Sequence, residues 1–222
     1  ISAQSTDAGR PRDTLNRERV LRAAMDLADE KGLDALTMRL LGRRLGVEAA
    51  SLYNHVAGKD DLLEGMSDLA MSEIDLPGDD VGWKEAMRRR AISARETFAR
   101  HRWAAALYDS REPSSPSRLA FVDRALGALM RAGFTATGAA YALLVLDSYL
   151  YGFERQRPDV AAQGKGDSPE TAREVLAAIP VGEYPFAASV AKEYAAHPFD
   201  AEDAFELGLG IILDGLERTL EP

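Results

Sequence analysis

The chain has no cysteine, so it can form no disulfide and offers no thiolate as nucleophile or metal ligand. Histidine is scarce as well: only His55, His101 and His197 occur, and in the body over 80–222 no two histidines lie at metal-ligand spacing. No metal and no cofactor is expected. No glycine-rich phosphate loop and no convincing histidine–carboxylate pair is present, which argues against an enzyme. There is no long apolar run and no secretory hydrophobic segment, so neither membrane insertion nor export is expected and the cytoplasm is the expected location. Runs of alternating β-branched residues between hairpin turns are missing too. Nearly every periodic segment repeats with the helical period, and the expected fold class is all-α.

What is present is length enough for a sizeable core, 222 residues, and an uneven charge. The whole chain carries −9, which is unfavourable for a polyanion partner. Residues 1–58, however, hold nine basic against eight acidic side chains, and the remainder carries −10. A nearly neutral head with local cations suits a modest phosphate footprint, and an acidic body discourages misplaced contact with DNA. Residues 1–14, ISAQSTDAGRPRDT, are polar and weakly basic, and are expected to be a flexible arm.

The richest stretch runs from Leu36 to Leu63. Thr37 can cap a helix whose apolar stripe is Leu40, Leu41 and Leu45. Gly46 stops it, because glycine alone takes a left-handed position cheaply, and Val47 can fold back on the leucines as the chain re-enters a helix near Glu48. In that second helix Leu52 and Val56 face inward, which leaves Ala49, Ala50, Ser51, Tyr53, Asn54 and His55 facing outward. Two short helices joined at a glycine, with small and hydrogen-bonding residues outside, make a helix-turn-helix. A preceding helix spans about Asn16 to Lys31, with Val20, Ala23, Ala24, Leu27 and Ala28 on one side and Gly32 as its stop. The resulting division is a helix-turn-helix domain over 15–60, a connecting helix over 61–76 that ends at Leu76-Pro77-Gly78, and a helical body over 80–222.

In the body, periodicity predicts helices from Trp83 to about Arg102, a short one through Leu107, then Leu119 to Arg131 and Thr135 to Arg155. Two shorter ones follow near Glu170 to Ala178 and Tyr184 to Ala196, and a last one runs from Ala201 to Leu220. Residues 157–169 read as a loop. Thr135 to Arg155 is apolar on more than one face, and Gly208, Gly210 and Gly215 each cost about 1 kcal/mol in a helix interior unless another helix approaches closely. These two helices are therefore assigned to a four-helix interface between two copies of the chain.

The segment Leu33 to Leu63, and especially LGVEAASLYNHVAGKDDLL over 45–63, resembles the DNA-binding domain of the tetracycline repressor (TetR) family, with glycine-valine at the turn, Leu-Tyr-x-His-Val, and Lys59-x-x-Leu-Leu opening a fourth helix. A weaker resemblance to the tetracycline-binding members continues through Trp83, His101-Arg102, Pro113, Gly133-Phe134, Ala140 to Leu143 and Phe205 to Leu220. It implies a homodimeric repressor that binds a palindromic double-stranded operator and lets go when a small molecule enters the body. It also implies DNA contacts at Thr37, Arg39, Ala49, Ala50, Ser51, Tyr53, Asn54, His55 and Lys59. For Tyr53 and His55 packing within the head is the alternative, and Arg43 and Arg44 read as solvated charges. The tetracycline-binding members hold magnesium with a histidine where this chain has Tyr108, so a metal-chelated tetracycline is not expected. Trp103, Tyr108, Phe121, Tyr141, Tyr149 and Tyr151 instead suggest a flat or polycyclic hydrophobic effector, with Arg90 and Asp147 as polar anchors; core packing is the other reading of these aromatics. A DNA-binding regulator without any ligand, and less plausibly an enzyme, are the competing functions.

Overall fold

The computed structural model describes residues 15–75, 78, 80–109, 115–156, 173–174, 177–180, 182–197 and 200–220. The expected arm over 1–14, the loop over 157–169 and half of the helix expected near Glu170 to Ala178 lie outside them. Among the described residues every regular element is a helix, and none is long and apolar enough to cross a membrane. The chain forms two units, Ile1–Asp75 with Glu96–Phe121, and Leu76–Arg95 with Val122–Pro222.

The first unit opens with α1, Arg17–Lys31. Asn16, expected to be its first turn, is its N-cap: the side chain accepts the Arg19 N–H at 2.8 Å. Val20, Leu21, Ala24, Met25, Leu27 and Ala28 form its buried stripe. It packs on α2, Met38–Leu45, and on α4, Lys59–Ser72; between these lies the short α3, Ala49–Leu52. Leu62, Met66, Ala70 and Met71 turn α4 inward, and its first turn is pinned to α1, where Arg17 grips Asp61 with two hydrogen bonds of 2.9 and 2.6 Å. α5, Trp83–Arg100, contributes its last residues to this unit. It stops two residues short of the expected end, because His101 turns to Asp29 at 2.9 Å and to Glu73 at 3.3 Å. α6, Ala104–Asp109, then packs on α4.

α7, Pro116–Arg131, starts earlier than the expected Leu119. Proline is well suited to a first helical position, and Ser115 just before it accepts the Arg118 N–H at 3.2 Å. In the second unit α8, Ala136–Gln156, is capped by Thr135, whose hydroxyl accepts the Gly138 N–H at 3.0 Å. α9, Pro185–Ala196, and α10, Ala201–Arg218, complete it. α8 and α10 pack through Leu146, Leu150, Phe205, Leu209 and Leu213. Tyr149 lies stacked on Phe205, and its hydroxyl donates toward the carbonyls of Phe205 and Ala204 at 3.0 and 3.3 Å. A Cβ on Gly208 would sit 2.2 Å from that hydroxyl oxygen. Close approach at this glycine is therefore filled within the chain, by Tyr149, whereas nothing lies within 4 Å of a Cβ at Gly215 and only Arg88, at 3.8 Å, within that distance of one at Gly210. The outer faces of the same two helices leave Tyr141, Leu144, Val145, Leu207 and Ile211 exposed.

Candidate nucleic-acid interface and the polar pairs of the body

The turn between α2 and α3 follows from three local choices. Thr37 caps α2 by accepting the Leu40 N–H at 3.2 Å. Gly46 ends it in the left-handed region, with φ 69 and ψ 30, which a side chain would resist. Gly42, buried on α2, lets the turn lie against the helix: a Cβ there would meet the Val47 carbonyl oxygen at 2.9 Å and the Ala49 nitrogen at 3.2 Å. The sequence reading passed over Gly42, although its position four residues before Gly46 carries the signal.

Leu52 and Val56 are buried, as the spacing predicts. The helix they were expected to share is shorter than that, a single turn ending at Leu52. The Tyr53 and His55 N–H groups bond three residues back, to Ala50 and Leu52 at 3.3 and 2.9 Å, and this tightening swings Val56 inward before α4 begins. Tyr53 and Asn54 therefore sit on a turn beyond the helix end, and Tyr53 is 54% exposed.

Of the nine residues expected to touch DNA, Thr37, Arg39, Ala50, Tyr53, Asn54 and Lys59 are exposed, Ala49, Ser51 and His55 are half-buried, and none is in the core. All nine belong to one unit. Arg44 has a different duty: it pairs with Glu30 through two hydrogen bonds of 2.7 Å, which holds the Glu30 carboxyl below its usual range. The backing of the interface is fixed electrostatically. Asp61 accepts both Arg17 hydrogen bonds and the Ala57 N–H at 2.7 Å, so its pKa is lowered, chiefly by Arg17, and that of Arg17 is raised. Arg17 also donates to the His55 carbonyl at 3.0 Å. The polypeptide just after α3 is thereby tied to α1.

The residues expected to line an effector chamber fall into both units. Trp103 donates its indole N–H to Asp29 at 2.6 Å, so it serves the packing of α1 on the α5–α6 turn. Tyr108 is buried, with the Arg118 guanidinium 3.8 Å from its ring centroid, and Phe121 is half-buried in the same unit. In the second unit Arg90, 3% exposed, pairs with Asp147 at 2.8 Å, which joins the two anchors named from sequence. Tyr151 is half-buried. Tyr141 is 66% exposed on the outer face of α8, because Ala142, Leu143 and Leu146 take the inner one.

The sequence reading missed Arg95. It lies on the buried stripe of α5 with Ala91, Ala94 and Phe98, pairs with Glu202 of α10 and, at 3.2 Å, with Glu154 of α8, and stands over the Phe205 and Phe153 rings at 4.9 and 5.5 Å. A cation on an apolar stripe was the available signal, but its two carboxylates are distant in sequence. Among the described residues no three histidine, aspartate or glutamate side chains gather as a metal site.

Two family models match the chain: bacterial regulatory proteins of the tetR family over residues 20–66, and the tetracyclin repressor-like C-terminal domain over residues 76–220. The chain belongs to the TetR family. Among the relatives, the HTH-type transcriptional repressor DrrR1 of Streptomyces coeruleorubidus is 31% identical, covering 93% of this chain and 79% of its own. The tetracycline repressor protein class C of Escherichia coli is likewise 31% identical, over 92% and 91% of the two chains. The structure of the Streptomyces coelicolor TetR family protein ActR in complex with actinorhodin superposes with a TM-score of 0.74 at 28% identity, over 94% of this chain and all of that one. This TetR-family chain is thus a transcriptional repressor with an N-terminal helix-turn-helix, and its relatives are regulators rather than enzymes.

Proposed function

We propose that this TetR-family repressor acts in the cytoplasm as a homodimer, reads a palindromic operator with two α2–α3 units, and releases it when a small aromatic molecule enters the body. The observation that carries the reading is the outer face of α2–α3. Arg39, Ser51, Tyr53, Asn54 and Lys59 make no side-chain hydrogen bond among the described residues, while the cation behind them, Arg44, is fully engaged. In this reading Lys59, Ser51, Tyr53, His55 and Thr37 hold phosphates, Arg39 reads guanine or grips phosphate, Asn54 reaches a base edge, and Ala49 and Ala50 lie against thymine methyls. Residues 15–60 form the DNA-binding part, the helix over 61–76 the connection, and the rest the sensing and dimerising part.

The exposed apolar residues of α8 and α10 support pairing of two chains, which sets the recognition elements about 34–36 Å apart, one turn of DNA. Arg90, Asp147 and Tyr151 supply polar and aromatic contacts to the effector, and the actinorhodin bound to ActR supports a polycyclic aromatic class. The test is selection of bound duplexes from random DNA, followed by competition with polycyclic aromatic natural products. A palindromic consensus released by one such compound is expected. Bound DNA without two-fold symmetry, or a palindrome that no compound displaces, would overturn the dimer and effector parts respectively.

A further inference from the structure

Arg43 and Arg44 are neighbours at the end of α2, and the fold puts them to different uses. Successive residues of a helix point about 100° apart. Arg44 turns to α1, where it bonds Glu30 twice at 2.7 Å and lies 3.7 Å from Asp26. Arg43 turns away from α1: it is exposed and makes no ion pair and no side-chain hydrogen bond among the described residues. Leu41 and Gly42 occupy the inner side of α2, which leaves Arg39 and Arg43 together on its outer side, four residues apart. Acids are plentiful in this chain, 36 against 27 bases, and Asp34 and Glu48 flank α2 in sequence, yet neither pairs with either arginine. Two like charges one turn apart repel and weaken the helix that carries them. A cation in the last turn does favour the helix dipole, but Arg44 already stands there with its charge held in place. Local stability therefore gives no sufficient reason for a second arginine whose nearest neighbour on that face is a third.

We propose that Arg43 grips a backbone phosphate on the flank of the groove that Arg39 enters. The inference rests on the reading of α2–α3 as the DNA-facing element. Arg43 lies about 6 Å further along α2 than Arg39. Phosphates of one strand rise about 3.4 Å per nucleotide, so the Arg43 guanidinium meets the backbone one or two phosphates beyond the place where Arg39 crosses it. Its planar fork of N–H donors matches the paired oxygens of a phosphate. The polyanion then supplies, between Arg39 and Arg43, the negative charge that the protein itself withholds from this face. Such a contact strengthens binding to every sequence alike and reads none of them.

The test is anisotropy titration of the full chain on its selected operator and on a random duplex, at several salt concentrations between about 0.05 and 0.2 M. Each phosphate contact contributes about 0.9 to the slope of log affinity against log salt, so Arg43→Gln, present in both heads, should lower the slope by about 2 and the affinity at least tenfold near 0.15 M. The random duplex should weaken by the same factor, leaving the ratio of selected to random within about threefold of the parent's. Arg43→Lys keeps the charge and should keep the slope. Uncharged methylphosphonates placed one at a time beside the consensus give a second readout: at one position the substitution should weaken the parent and leave Arg43→Gln unaffected, because the variant has no contact there to lose. An unchanged slope in Arg43→Gln, a loss confined to the selected operator, or methylphosphonates that weaken parent and variant alike at every position would overturn the inference alone. A parent that binds no duplex in the selection would overturn the reading of α2–α3, and this inference with it.

Discussion

Gly42→Val tests whether the α2–α3 turn depends on a missing side chain. Valine is no worse than glycine in a helix by intrinsic preference, so helix propensity predicts a neutral or slightly favourable change. Sterics predict the opposite. The first added carbon already lies 2.9 Å from the Val47 carbonyl oxygen and 3.2 Å from the Ala49 nitrogen, and the two further methyls need more room. These neighbours are backbone atoms of a turn closed by the Val47 N–H to the Gly42 carbonyl at 3.0 Å and by the left-handed Gly46, so they cannot rotate away as a side-chain end would. Overpacking of this kind costs about 1–3 kcal/mol. If α3 tilts to relieve it, operator binding must restore the docked position in both heads, at about 2 kcal/mol each, which amounts to roughly a thousandfold in affinity. Anisotropy titration of a labelled selected operator reads this directly, with sedimentation as the check that the chains still associate as before. Gly42→Ala is the companion: it adds the Cβ alone, gains up to about 1 kcal/mol of helix propensity, and should bind within about tenfold of the parent. A valine variant that binds within threefold of the parent would refute the close-approach argument.

Tyr53→Ala removes an exposed side chain with no hydrogen bond of its own among the described residues, so it should weaken operator binding about tenfold with no change in melting temperature; unchanged affinity would strike Tyr53 from the contacts. Asp61→Asn should destabilise the protein by about 1 kcal/mol at pH 7 in urea unfolding. Because the folded pKa of Asp61 lies below its ordinary value, its contribution is present above about pH 4 and is lost as pH falls through the lower, folded value, so the gap between parent and variant should close on the acid side. A gap that persists below both values would assign the loss to something other than the charge. Leu144→Arg, on the outer face of α8, should yield monomers by sedimentation with helix content intact, and a variant that remains dimeric would locate the contact elsewhere.

The parts legible in the sequence are those decided within a few residues. Thr37 and Gly46 bound α2 because an N-cap hydroxyl and a left-handed glycine act on their own backbone neighbours. The length of α3 was not legible, since the bonds that tighten after Leu52 answer to the burial of Val56, a tertiary demand. Trp103 reads as spare aromatic surface until Asp29, 74 residues away, claims its indole, and Arg95, a cation on an apolar stripe, finds its carboxylates only in the distant Glu154 and Glu202. Gly208 shows the boundary most sharply. A glycine inside a helix does announce that something comes close, and something does; but an absent side chain carries no mark of whether the visitor belongs to the same chain or to another. Here the Tyr149 hydroxyl fills the space. What still argues for a second chain is therefore not the glycines but the apolar surface left over after Tyr149 and Phe205 have packed, the face of Tyr141, Leu144, Val145, Leu207 and Ile211, whose burial between two copies is worth more than any one close contact along it.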